Sequence, residues 1–267
     1  GVRQMILDAV AKSLRSIETR SRIVDVFVGY SYAAASASDG FGRCVGLAAV
    51  PRSDISCRDE RWGVPRVGGG PRTVAAAIRS TNVLERTVAL AAANAISQCL
   101  MRAEKPRGME YVEDVNGWLV ERLRTAGASR IALIGNMPPV ASKLREEFDL
   151  MIFERDPGLR SGDVMPDFLE LRLLPRADAV VASGTSLLNE SLDLVLRSAR
   201  RSKLNAVVGP TAQLHPRFLR GTRVDFLGST EVVDSRDFLR MLRHGVVRGA
   251  LYDARYARQY YVEVPRE

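Results

Sequence analysis

The sequence predicts an α/β protein whose second half is a parallel, Rossmann-like sheet and whose first half is a smaller α+β domain. From residue 130 onward, short apolar runs alternate with amphipathic stretches, which is typical of strands covered by helices on both faces. The first hundred residues instead group strands together and helices together. Between the halves, 102–108 is charged and broken by proline and glycine. We place the boundary there, giving domains 1–108 and 109–267.

The totals describe an ordinary globular chain of a reducing compartment. The chain has 267 residues, of which 46% are apolar, enough for a full core without cross-links. No apolar run reaches the roughly 18–20 residues of a membrane helix, and the amphipathic N-terminus lacks the core of a signal peptide. The three cysteines are odd in number and show no CxxC spacing, so neither a disulfide framework nor a local thiolate metal site is expected. We expect a cytoplasmic protein with no membrane partner.

The net charge of +8 has two interpretations. It indicates an anionic partner, or it reflects a genome that encodes basic residues mainly as arginine. The densest basic stretch, 194–224, contains no acid. It is not accompanied by an aromatic-rich strand or a helix-turn-helix pattern, so nucleic-acid binding is not favoured.

The first half begins with apolar positions at helical spacing over 2–18. Residues 23–30 and 44–50 read as partner strands, and the small-residue stretch 31–42 between them reads as a long hairpin loop. Two helices are then predicted over 73–80 and 82–100, the second buried because it has few polar residues.

The second half opens with a helix over 111–127 that stops at a glycine. At least four parallel strands are expected, at 130–134, 178–182, 205–208 and 224–227, with a further strand at 150–154. The intervening helices are predicted over 140–148, 186–201 and 234–245. The tail after residue 250 carries four tyrosines, which pack either on the core or on a second subunit of a homodimer.

Candidate ligand residues follow the strand ends, where such sheets bind ligands. The first strand leads into GNMPP with Gly135 and Asn136, and the prolines remove amides that a pyrophosphate would need, which argues against ordinary NAD or FAD binding. Glu154 ends the second strand and is either an acceptor for ribose hydroxyls or part of a solvated turn.

The stretch SGTSLLN is the most suggestive of a ligand site. Its hydroxyls beside the start of a predicted helix offer a site for an anionic or polar ligand, although simple N-capping by Thr185 or Ser186 is the alternative. Its candidate ligand-binding residues are Ser183, Gly184, Thr185, Ser186 and Asn189.

The next strand ends similarly, with Gly209, Pro210 and Thr211, so we expect one shared pocket facing the N-terminal domain. Asn94, in an apolar helix, either caps a neighbouring loop or reaches into a cleft between the domains. His215 and His244 are each explained without a metal, and no nucleophile triad, HExxH or Walker motif is present. We therefore predict no stoichiometric zinc and leave catalysis open.

The second half resembles a family described as "Putative heavy-metal chelation". The matching text includes IALIGNMPPV, FERDPG, ADAVVASGTSLLNESLDLVL and VVGPTAQLHPRFLRG. The first half, with GRCVGLA and LAAANAIS, resembles the companion domain of that family, which has an enolase-N-terminal-like fold. The resemblance implies a metal ion, or a role in cofactor metabolism, at a cleft between the domains.

Two functions follow from the residues and the resemblance together. The first is binding of a small polar or metal-bearing ligand in the cleft between the domains. The second is a nucleotide- or nucleoside-dependent enzyme, similar to S-adenosylmethionine-dependent proteins, that uses Glu154 for ribose. The candidate cleft offers hydroxyls, amides and a carboxylate, whereas a soft heavy metal prefers thiolate or imidazole.

Overall fold

The computed structural model describes residues 5–55 and 67–266. Its larger sheet has eight strands in the order β4-β11-β10-β9-β8-β5-β6-β7, of which β10, β9, β8, β5, β6 and β7 run parallel to their neighbours in that series. Its strands are β4 Glu110–Tyr111, β5 Arg130–Ile134, β6 Asp149–Glu154, β7 Met165–Pro166, β8 Ala179–Ser183, β9 Leu204–Val208, β10 Phe226–Val232 and β11 Ala257–Glu263. The predicted α/β class and its four parallel strands are confirmed.

The C-terminal tail packs on the core of its own chain. β11 pairs antiparallel with both β10 and β4, which extends the parallel sheet at one edge. Tyr260 and Tyr261 are fully buried, and the Tyr261 ring stacks on Trp118 with centroids 3.8 Å apart. The tail is therefore a structural element of the sheet.

Each predicted helix is present near its expected position, one of them with a wrong start, and the two short helices near residues 170 and 250 were not predicted. The helices are α1 Ile6–Ser16, α2 Pro71–Ala77, α3 Val83–Ala103, α4 Val115–Thr125, α5 Pro138–Arg145, α6 Glu170–Leu173, α7 Ser191–Ser198, α8 Ser235–Arg243 and α9 Val247–Tyr252. The helix predicted over 186–201 is wrong at its start: Gly184–Leu187 is a 3-10 turn, and α7 begins only at Ser191. Glu190 has φ 57°, a left-handed conformation that a continuous helix does not allow.

The smaller sheet shows that two predictions for the first half are wrong. It contains β1 Arg22–Val28, β2 Tyr32–Ser38 and β3 Arg43–Ala49, all antiparallel, with β2 in the centre. The stretch 31–42 is therefore mostly a strand, and 23–30 does not pair with 44–50. Alanine and serine have low strand propensity, so the sequence hid β2, but their small side chains let α3 pack closely on the sheet.

The core is continuous across the two halves. Gln213, fully buried, accepts a hydrogen bond from the Leu47 amide at 2.7 Å and donates to the carbonyls of Val45 and Thr230. A single cluster of buried apolar side chains runs from α1 to β11. The boundary at 102–108 is not marked by a gap in this packing and stays a prediction. Within the described residues, no helix has the length and apolar character needed to cross a membrane.

Candidate functional site

A cleft of about 680 Å³ lies between the carboxyl ends of β5, β6 and β8 and the end of β3 in the smaller sheet. The large sheet contributes the ends of these strands and the loops that follow them. The first half contributes the start of β2, the end of β3 and the start of α3. Its polar and charged lining residues are Ser31, Arg52, Ser53, Asp54, Arg86, Asn136, Glu154, Arg155, Asp156, Asp167, Glu170, Ser183, Thr185, Ser186, Asn189 and Ser191. This is the switch-point position at which parallel sheets bind ligands.

Seven residues expected at a ligand site line this cleft. They are Gly135, Asn136, Glu154, Ser183, Thr185, Ser186 and Asn189. They converge because parallel strands present their carboxyl ends along the same edge of the sheet.

Glu154 holds two loops together. One carboxylate oxygen accepts from the Asn136 amide and the other from the Asp156 amide, each at 2.8 Å. The Asn136 side chain in turn donates to the Leu159 carbonyl at 2.8 Å. Glu154 therefore fixes the loops that follow β5 and β6. A ligand could hydrogen-bond only to the carboxylate lone pairs that these two amides leave unused.

The turn after β8 lines the cleft with hydroxyl groups, but no α-helix begins at that turn. Ser183 provides the N-cap of the 3-10 turn, accepting from the Thr185 amide at 3.4 Å, and Ser186 donates back to the Ser183 carbonyl at 2.7 Å. Asn189 accepts from the Ser191 amide at 3.0 Å. Because α7 begins at Ser191, the expected row of free amides at residue 186 does not exist, and polar side chains form this wall instead.

Five other predicted ligand residues lie outside the cleft lining, namely Asn94, Gly184, Gly209, Pro210 and Thr211. Two of them, Asn94 and Thr211, make hydrogen bonds across the contact between the two halves. The Thr211 hydroxyl accepts from the Ala49 amide at 2.9 Å, and Asn94 donates to the carbonyls of Leu47 and Thr211 at 2.7 and 2.8 Å. Gly184 lies directly against Thr211, leaving no room for a side chain: a Cβ there would be 2.8 Å from the Thr211 Cβ.

Among the described residues three arginines reach the cleft, and none of them was predicted from the sequence. Arg86 on α3 pairs with Glu190 at 2.9 Å, joining the two halves across the cleft wall. Arg155 pairs with Asp54 at 3.2 Å, also across the halves, and Arg52 stacks over the Tyr30 ring at 4.3 Å. No local motif marks Arg52 or Arg86, because the two halves meet only through tertiary packing, and in the stretch FERDPG only Glu154 was singled out.

The described part of the lining has more acids than bases although the whole chain is basic. Five carboxylates, those of Asp54, Glu154, Asp156, Asp167 and Glu170, share the lining with the three arginines. Burial, with a smaller contribution from Asp167, raises the pKa of Glu170 to about 7. Within the described residues, no cation lies within ion-pair distance of the Glu170 carboxyl.

The residues do not fit direct chelation of a soft metal ion. Within 5–55 and 67–266, no group of three or more His, Cys, Asp or Glu side chains is arranged to hold a metal. Burial lowers the pKa of His215 to about 4, and its Nδ1 accepts from the Arg217 amide at 3.2 Å, so it acts as a cap. Cys44 and Cys99 are buried away from the cleft lining, and Cys57 lies outside the described residues.

Comparison with known proteins adds a family and a shared fold. Two family profiles, matching residues 119–261 and 11–97, both carry the description "Putative heavy-metal chelation". An uncharacterized protein of Methanocaldococcus jannaschii is 41% identical over 157 residues, and that match spans 58% of each chain.

Two crystal structures of proteins of unknown function have this architecture. One, from Pyrococcus horikoshii, is 30% identical with a TM-score of 0.83 and covers 97% of this chain and 100% of its own. The other, from Desulfitobacterium hafniense, is 19% identical with a TM-score of 0.76, covers 98% of this chain and 100% of its own, and shows the fold alone.

Proposed function

Because this chain belongs to the family described as "Putative heavy-metal chelation", we propose that it binds a small polar or metal-bearing ligand in the cleft at the ends of β5, β6 and β8. The observation that carries the proposal is the cleft itself. Its volume of about 680 Å³ is within the roughly 300–1,000 Å³ typical of small-molecule sites. Polar side chains from both halves line it.

The lining favours a metal that arrives already chelated. Hydroxyls, amides and carboxylates are poor ligands for soft metals but good partners for the polar periphery of an organic chelator. Glu170 and Asp167 would accept from donor groups of such a ligand, and the arginines would bind its carboxylates. On this proposal the metal is cargo, and the protein recognises the molecule that carries it.

The nucleoside-dependent enzyme is the second candidate. Glu154 ends the strand next to β5, the position from which an acid contacts ribose in Rossmann-like folds. Its two oxygens already accept backbone amides, which leaves it fewer lone pairs for ribose hydroxyls. We therefore rank this candidate behind binding of a chelate.

A thermal-shift panel separates the candidates. The probes are Zn²⁺ and Co²⁺ as free ions, Co²⁺ citrate and Ni²⁺ nitrilotriacetate as chelates, and S-adenosylmethionine and adenosine. A ligand that binds only the folded state raises the melting temperature. We expect a chelate to raise it and the free ions at equal concentration to leave it unchanged.

Each other outcome selects a different function. A shift by free Zn²⁺ alone would restore direct chelation, and a shift by S-adenosylmethionine alone would favour the enzyme. Any shift that persists in Thr185→Val would place the binding outside the cleft. Thr125→Val, an exposed position at the end of α4, is the matched control and should respond as the unaltered protein does.

A further inference from the structure

The packing of β3 on α3 brings two cysteines together. At Gly46 a Cβ would lie 2.1 Å from both the Ala91 carbonyl oxygen and the Ala95 amide nitrogen, so strand and helix are in backbone contact there. Two residues along the strand is about 6.6 Å on the same face, and four residues along the helix is about 6 Å. This register places Cys44 of β3 opposite Cys99 of α3.

The side-chain contacts agree with this register. The two thiols lie close enough for each to shift the pKa of the other. The Cys99 Sγ also donates to the Ala37 carbonyl at 3.6 Å, and Ala37 is the residue paired with Cys44 across the β2–β3 ladder. Both thiols are reduced and buried, with Cys44 6% and Cys99 1% exposed.

The environment shifts the two thiol pKa values in opposite directions. Interaction with the Cys44 thiol lowers the pKa of Cys99, helped by Arg102 and the Ser21 hydroxyl and opposed by burial. Interaction with the Cys99 thiol, together with burial, raises the pKa of Cys44. Arg102 is held near both sulfurs by Asp39 at 2.7 Å. Because burial keeps a cysteine unreactive, oxidation of this pair requires a local opening between β3 and α3 that admits peroxide.

We propose that Cys44 and Cys99 are a redox-modification site, converted by a hydroperoxide to a disulfide that joins β3 to α3. The Cys99 thiolate attacks one peroxide oxygen and the O–O bond breaks, giving a sulfenic acid; the departing hydroxide takes up the proton that Cys99 released on ionisation and leaves as the first water. The Cys44 sulfur then displaces that hydroxyl, and its thiol proton leaves with the hydroxyl as water. Hydrogen peroxide gains two electrons from the sulfurs, and two waters form per disulfide.

The site is separate from the cleft but shares its elements. Ala49 at the end of β3 and Val83 and Arg86 at the start of α3 line the cleft, while the thiol pair lies toward the opposite ends of both elements. A disulfide would fix the strand to the helix without occupying the ligand site. Its test therefore does not depend on the proposed function.

The experiment uses a Cys57→Ser variant, so that Cys44 and Cys99 are its two thiols. The folded protein is treated with hydrogen peroxide, free thiols are alkylated, and intact mass and tryptic peptides are measured. We expect both thiols to be lost together, the mass to fall by two hydrogen atoms, and a peptide pair linked through Cys44 and Cys99. Dithiothreitol should restore both thiols.

A second variant separates the two roles. With Cys44 also changed to serine, Cys99 should accumulate as a sulfenic acid that dimedone traps. Three results would overturn the proposal: both thiols surviving peroxide in the folded protein while reacting in urea, oxidation without the internal cross-link, or cross-links only between chains.

Discussion

Individual side chains around the β8 turn divide into those that build the wall and those that face the cleft. Ser183 accepts from the Thr185 amide and acts as the cap, whereas the Thr185 hydroxyl, within the described residues, hydrogen-bonds only to the Ser183 hydroxyl, at 3.3 Å. Capping of a helix by Thr185, which the sequence left as an alternative, is therefore not its role. On the proposed function, this hydroxyl would contact the ligand in the cleft.

Thr185→Val should change stability little. The substitution keeps the side-chain shape and removes a hydroxyl that caps nothing, so we expect the free energy of unfolding to change by less than about 0.5 kcal/mol. Ser183→Ala, which removes the cap, should cost about 0.5–2 kcal/mol. Urea denaturation of both variants checks this. Equal losses would show that Thr185 is structural.

Glu170 should make stability depend on pH. Its pKa is about 7 in the folded chain against 4.5 for the ordinary group, so the folded state binds more protons between these values. The free energy of unfolding should therefore fall as pH rises from about 4.5 to 7, with the full loss present above pH 7. After discounting for solvent screening, the loss is about 1–2 kcal/mol.

Glu170→Gln should remove that dependence. We expect the variant to be more stable than the unaltered protein at pH 8 and about equally stable near pH 4.5, by urea denaturation. Glu113→Gln, at an exposed position, is the matched control and should show no such difference. A Glu170→Gln variant that is destabilised at pH 8 would mean that the carboxylate has a partner in the folded chain.

At the scale of elements, the sequence predicted what periodicity and composition reveal and missed what depends on packing. The apolar strands of the parallel sheet were found because burial on both faces leaves a continuous apolar run. β2 was missed because YAAASAS has neither strand propensity nor alternation; its residues are small because α3 lies on them. The start of α7 was missed because the left-handed Glu190 has no glycine to signal it.

The closeness of β3 and α3 gives an element-scale prediction. Gly46→Ala puts a methyl group within 2.1 Å of two backbone atoms of α3, so strand and helix must separate. We expect a loss of about 3 kcal/mol or more in the free energy of unfolding, measured in urea. Gly158→Ala, whose Cβ would lie 3.3 Å from one surface carboxylate, should cost less than about 1 kcal/mol. Similar losses in both would contradict the close packing.

At the scale of the whole molecule, the sequence predicted the cleft residues of the second half but not the residues through which the two halves meet. The seven cleft residues of the second half followed from strand ends, whereas Arg52, Arg86 and Asp54 come from the first half and carry no local motif. Residues expected to bind ligand, such as Asn94 and Thr211, instead link the halves. A single sequence indicates which polar residues are buried. It does not indicate whether such a side chain faces a cleft or hydrogen-bonds to a backbone carbonyl.

The shared core should make the two halves unfold together. Gln213 and Asn94 bridge them, and one apolar cluster spans both, so we expect a single thermal transition with equal calorimetric and van't Hoff enthalpies. Gln213→Leu, which leaves the Leu47 amide unpaired, should lower the melting temperature of that one transition. Two separate transitions in the unaltered protein would show that the halves are energetically independent.

Native mass spectrometry of the chain recovered from cell extract tests the central claim, that the cleft holds a small ligand. We expect a mass excess that disappears on denaturation, is kept by Thr125→Val, and is lost or reduced at least tenfold in occupancy in Thr185→Val. Elemental analysis of the same samples reports whether a metal leaves with the ligand. Retention of the same excess mass by Thr185→Val, or a bare chain mass in every sample, would contradict the account.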